Sequence, residues 1–70
     1  MPSQQELDNR YAYHAPKGDQ TERYQTIRAA CRVLAGVIVD NTPVSREQAS
    51  ALTDLDSVMM RANAAIARNE

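Results

Sequence analysis

DQTERYQTIRAACRVLAGVIVD, residues 19–40, decides the fold. Tyr24, Ile27, Cys31, Leu34 and Ile38 recur in it at spacings of three, four, three and four. Residues three and four apart share one face of an α-helix, so this pattern draws a single apolar stripe. Ala30 and Val37 widen the stripe, while Arg23, Arg28 and Arg32 fall away from its centre. Asp19 followed by Glu22 is an acidic relative of the capping box and marks the helix start, with Gly18 bending the chain into it. Asp40-Asn41-Thr42-Pro43 ends the helix, because proline cannot continue the hydrogen-bond ladder.

The stretch that follows repeats the pattern. Ser45 with Gln48 forms a capping box, and Leu52, Leu55, Met59, Ala62 and Ile66 recur at alternating three- and four-residue spacing, with Val58 and Ala65 beside them. Each helix of about 20–24 residues runs about 30–36 Å. A link of a few residues makes the two antiparallel neighbours. The expected fold is all-α: an antiparallel two-helix hairpin over residues 19–70, preceded by an N-terminal arm over residues 1–18, in a single domain.

In the arm, Pro2, Pro16 and Gly18 punctuate the chain, and Leu7, Tyr11 and Tyr13 are the sizeable apolar groups. Ser3 and Glu6 suit a short helical turn around residues 3–9. Tyr11-Ala12-Tyr13-His14 reads as extended, since Pro16 disfavours helix before it. On an extended segment Tyr11 and Tyr13 share a face. Rings so placed stack on nucleobases, with Arg10 and Lys17 near enough to meet phosphate, or they staple the arm onto the helices. The residues alone leave both roles open.

Composition narrows the function. The chain has 70 residues, a formal charge of −1, three Tyr, no Trp and no Phe, and much of its 43% hydrophobic content is alanine. So few large side chains do not build a self-sufficient core, and the small residues of the second helix (Ala49, Ser50, Ala51, Ser57, Ala64 among them) invite further helices to pack closely. Self-association is therefore expected. Eight basic residues against nine acidic ones argue against a binder of DNA or RNA duplexes. Seven of the eight are arginine (Arg10, Arg23, Arg28, Arg32, Arg46, Arg61 and Arg68), whose planar fork suits phosphate and carboxylate. Any one of them suits surface ion pairing; the set fits an anion-binding oligomer.

Cys31 is the only cysteine, which leaves no intramolecular disulfide and no cysteine zinc site, and its place on the stripe makes it a packed thiol. His14, the only histidine, has no acid and nucleophile spaced to work with it, and suits a hydrogen bond within its loop. Gly18 and Gly36 are the only glycines, so there is no glycine-rich phosphate loop. No enzyme activity, cofactor or metal is expected. Neither a membrane-length apolar run nor an apolar leader at Met1-Pro2-Ser3-Gln4-Gln5-Glu6 is present, which points to a cytoplasmic protein. Arg68 near the end of the second helix suits the helix dipole, or, in several copies, a ring around an anion.

Four segments carry a resemblance: Tyr11-Ala12-Tyr13-His14-Ala15-Pro16, Arg23-Tyr24-Gln25-Thr26-Ile27-Arg28, Pro43-Val44-Ser45-Arg46-Glu47, and Met60 to Asn69. Together they resemble the phage anti-CBASS cyclic-nucleotide sponges, which share a hairpin domain with anti-Thoeris sponges. The match runs from about Asn9 to the C-terminus. It implies a homohexamer in the host bacterial cytoplasm that sequesters immune second messengers without cleaving them. Cyclic dinucleotides such as 3',3'-cGAMP bind in that family between two protomers, and cyclic trinucleotides such as cyclic tri-AMP at separate sites made by three. The family's stacking aromatic matches Tyr11 or Tyr13. Its phosphate-binding basic residue matches Arg28, with Thr26 at a nearby register where the family can carry lysine. Its C-terminal Arg-Asn pair matches Arg68 and Asn69, which the resemblance assigns to the trinucleotide site. The alternative function is a hairpin that binds another protein through its exposed stripe.

Overall fold

Serine caps start two of the helices, as the spacing predicts. Ser3 Oγ accepts from the Glu6 amide at 3.1 Å, and Ser45 Oγ accepts from the Gln48 amide at 3.1 Å. The computed structural model describes residues 3–70, so Met1 and Pro2, read as part of the arm and of a leaderless N-terminus, lie outside the described residues. Three helices and no strand occur among those residues: α1 over Gln4–Tyr11, α2 over Gln20–Asn41 and α3 over Arg46–Asn69. No described helix is long and apolar enough to cross a membrane.

α1 runs further than the sequence suggests. Tyr11 is its last helical residue rather than part of an extended segment, and the chain straightens only at Ala12, with φ −77° and ψ 149°. Pro16 constrains Ala15 alone, too far on to unwind Tyr11. The helix end is also satisfied from outside: the His14 Nε2 lies 2.9 Å from the Asn9 carbonyl. Tyr11 and Tyr13 therefore do not share the face of one strand.

At the start of α2 the capping box at Asp19 and Glu22 does not form. Asp19 is the N-cap residue with φ −87° and ψ 10°, and its side chain makes no capping hydrogen bond. Its carboxylate lies 3.3 Å from Arg23 Nε instead. Gln20 takes over the local work, accepting from the Lys17 amide at 3.0 Å through its side-chain oxygen while its own amide donates to the Lys17 carbonyl. Gly18 makes that turn possible at φ 55°, a left-handed value that a Cβ strains.

α2 and α3 pack as the expected hairpin, turning through residues 42–45. At the turn, Asn41 and Thr42 side chains bond the Val37 and Ile38 carbonyls, and Gln48 Nε2 donates to the Thr42 carbonyl and hydroxyl. These bonds occupy carbonyls that a helix end leaves free.

The seam between the helices holds Tyr24, Ile27, Cys31, Ala35 and Ile38 on α2, all half-buried, against Leu52, Leu55, Met59, Ala62 and Ile66 on α3. Leu34 has left the stripe and is 47% exposed, with Ala35 in its place. A straight helix of 3.6 residues per turn drifts off a strict 3.5-residue repeat, and the seam follows the drift. No hydrophobic side chain is fully buried among the described residues. The reason is dimensional. The molecule measures 44 × 32 × 13 Å, and 13 Å is close to the diameter of one helix, so the helices lie in a single layer. One layer has two open faces, and stable domains stack at least two.

Candidate functional site

At the end of the hairpin away from the turn, the start of α2 meets the end of α3, and the segment after α1 crosses them. Side chains far apart in sequence tie the three together. Asn9 Nδ2 donates to the Arg68 carbonyl at 3.5 Å, and an Arg68 guanidinium nitrogen donates to the Arg10 carbonyl at 3.2 Å. Lys17 Nζ donates to a Glu70 main-chain oxygen at 3.0 Å. Arg23 makes a forked pair with the Glu70 carboxylate, one arm at 3.0 Å. Planar guanidinium and carboxylate match in such a fork. The Arg23 bond holds the Glu70 carboxyl below the usual carboxylate range, with lesser help from Gln20 and Lys17. The same pair raises Arg23. Gln20, only 4% exposed, is the one buried side chain among the described residues and sits in this polar knot.

Beside the knot opens a cleft of 380 Å³. Tyr13 and Tyr24 line it, together with Arg10, Arg28 and Arg68. No carboxylate lines it. None of the three arginines forms a salt bridge among the described residues, where Arg23 is the one arginine that does. Ala64 and Ala67 add small side chains to the lining. Three unneutralised cations around two flat rings make a place for an anionic aromatic ligand, since guanidinium forks bind phosphate and rings stack on bases.

The sequence-derived residues divide. Tyr13, Arg28 and Arg68 meet in this cleft, although Arg68 was assigned to a different site from the other two. Tyr13 is 87% exposed, so it staples nothing in the single chain. Tyr11, Thr26 and Asn69 do not line the cleft. Tyr11 is 79% exposed at the end of α1. Thr26 Oγ1 donates to the Glu22 carbonyl at 2.9 Å and Asn69 Nδ2 to the Ala65 carbonyl at 2.9 Å, each within its own helix. His14 lines the cleft while holding the Asn9 carbonyl, the loop hydrogen bond expected of it.

Two cleft residues escaped the sequence reading. Tyr24 was taken as part of the stripe, where it is half-buried, and it also lines the cleft. Asn63 sits among alanines, and its Oδ1 is buried at the cleft with no hydrogen-bond partner. A buried acceptor left alone costs about 1–3 kcal/mol. No group of three or more metal-ligating side chains gathers among the described residues.

The Acb2/Tad1 hairpin domain model matches residues 3–67, nearly the whole chain, and the chain belongs to that family, which is known for sponge-type binding. No individual curated protein and no solved structure shows significant similarity to it.

Proposed function

We propose that this member of the Acb2/Tad1 hairpin family binds and sequesters cyclic di- and trinucleotide second messengers of bacterial antiphage (CBASS) signalling, without cleaving them. The observation that carries the reading is a cleft lined by three arginines that form no salt bridge among the described residues, by two tyrosines and by no carboxylate. In it Tyr13 stacks on a base, with Tyr24 as a second ring, and Arg28 pairs with a phosphate. Tyr11 and Thr26 join the dinucleotide site from a neighbouring protomer.

Arg68 and Asn69 serve the trinucleotide. Arg68 also lines a shallower depression with Met60 and Arg61, and in this reading copies related by a three-fold axis bring their arginines together there. The single-layer hairpin, with Val33, Leu34, Val37 and Val58 about half exposed or more, completes its core with five further copies of itself in a homohexamer. The site of action is the host bacterial cytoplasm.

Calorimetry against a panel of cyclic di- and trinucleotides, followed by heating to release what was bound, tests the reading. Recovery of intact cyclic nucleotide supports a sponge. A linear product makes the protein an enzyme, and no binding at all leaves a hairpin that docks another protein through its uncovered stripe.

A further inference from the structure

A second cleft adjoins the first, and Arg28 stands between them, lining both. Its volume is 230 Å³, and Cys31, Leu52, Leu55 and Met59 give it an apolar floor. Arg32 and Asp56 are its other charged groups. Arg28 and Arg32 are four residues apart on α2, one turn along the same face, and both line this cleft. Neither arginine forms a salt bridge among the described residues, although Asp56 shares their cleft. The Arg32 side chain reaches along the helix toward Gly36, one turn further on, where a guanidinium nitrogen lies 3.4 Å from the place a Cβ would take.

We infer that Arg32 is a second phosphate-binding residue, and that the ligand reaches from the first cleft into this one around Arg28. The inference rests on the sponge reading above and adds the direction in which the ligand lies. One phosphate sits at Arg28 on the Tyr13 side; the next sits between Arg28 and Arg32. The apolar floor beneath accepts a sugar or base face. Asp56 opposes the second phosphate at close range, so its charge and that of Arg32 act on affinity with opposite signs.

The test titrates 3',3'-cyclic di-AMP into the full-length wild type, Arg32→Ala and Asp56→Asn, with Arg46→Ala at the far end of the hairpin as control. Arg32→Ala should lower affinity about tenfold, as loss of one charge-assisted hydrogen bond does. Its affinity should also fall less steeply with added salt than that of the wild type. Asp56→Asn should raise affinity severalfold, and Arg46→Ala should match the wild type. Circular dichroism and light scattering accompany each titration. Unchanged affinity in either Arg32→Ala or Asp56→Asn overturns the second subsite while the sponge reading stands. An affinity loss that arrives with a changed mass or helicity overturns it in favour of packing. A wild type that binds no cyclic dinucleotide overturns both.

Discussion

The two ends of the hairpin are held by different means. At the turn, every side-chain bond is local: Ser45 to Gln48, Gln48 to Thr42, Asn41 to Val37, Thr42 to Ile38, none spanning more than six residues. At the other end, local bonds are joined by ties that span 47 to 59 residues, from Arg23 and Lys17 to Glu70 and from Asn9 and Arg10 to Arg68. The turn end leaves no buried side-chain polar atom without a partner among the described residues. The open end gathers charge, leaves Asn63 Oδ1 unpartnered and keeps three guanidiniums without carboxylates. Local bonds finish a structure; long-range ones gather distant side chains and create a place for a ligand.

The largest break in this contrast comes from the seam that joins the two ends. Ile66→Asp places a carboxylate in the half-buried apolar seam, at a cost of several kcal/mol if the position is covered by packed copies. Light scattering should show dissociation and circular dichroism a loss of helix. A stable monomer of unaltered helicity in the wild type at micromolar concentration would instead show that one layer suffices.

Next in size is Arg68→Ala, which acts only at the open end. It removes both a cleft cation and the bond to the Arg10 carbonyl. If three copies meet a cyclic trinucleotide, one substitution deletes three contacts at about 1.5–3 kcal/mol each, and calorimetry should detect no trinucleotide binding. A cyclic dinucleotide should lose only about tenfold, because one contact goes. Equal losses for both ligands would mean that one cleft serves both.

Tyr13→Ala should cost about 1–3 kcal/mol of cyclic dinucleotide affinity, with hairpin helicity unchanged. Tyr11→Ala, measured alongside it, apportions stacking between the last turn of α1 and the segment beyond it. At the turn end, Ser45→Ala should lower thermal stability by about 0.5–2 kcal/mol and leave nucleotide affinity alone. An affinity change in that variant would couple the two ends.

The smallest effect is a dependence on acid. Glu70 is held below its ordinary range, so its contribution is present above the usual carboxylate pKa and is lost as pH falls through the lowered value. Amide exchange of residues 9–17 should quicken under those conditions while that of residues 41–48 does not. Glu70→Gln should exchange quickly at neutral pH already.

How much was legible in the sequence depends on the range of the force responsible. The serine caps at Ser3 and Ser45 and the alternating spacing of α2 and α3 could be read directly, since capping and helical periodicity act within a few residues. Asp19 misled because a local signal lost to a competing one: its carboxylate faces Arg23 while Gln20 holds the turn. Tyr11 misled because the end of α1 is stabilised by His14 from outside it.

Taken alone, the sequence determined the helices, the hairpin and the shortage of large side chains that leaves it without a buried core. Through its resemblance it also pointed to Tyr11 or Tyr13, to Arg28 with Thr26 nearby, and to Arg68 with Asn69, though not to the company of Tyr13, Arg28 and Arg68. Only the tertiary structure decided that these three meet in one cleft, that Tyr24 and Asn63 join them, and that Thr26 and Asn69 are occupied within their own helices. The physical reason is that antiparallel packing sets the start of α2 against the end of α3. Which side chains face each other there depends on how the seam drifts along two helices of 22 and 24 residues. That drift is a property of the packed pair, and neither helix carries it by itself.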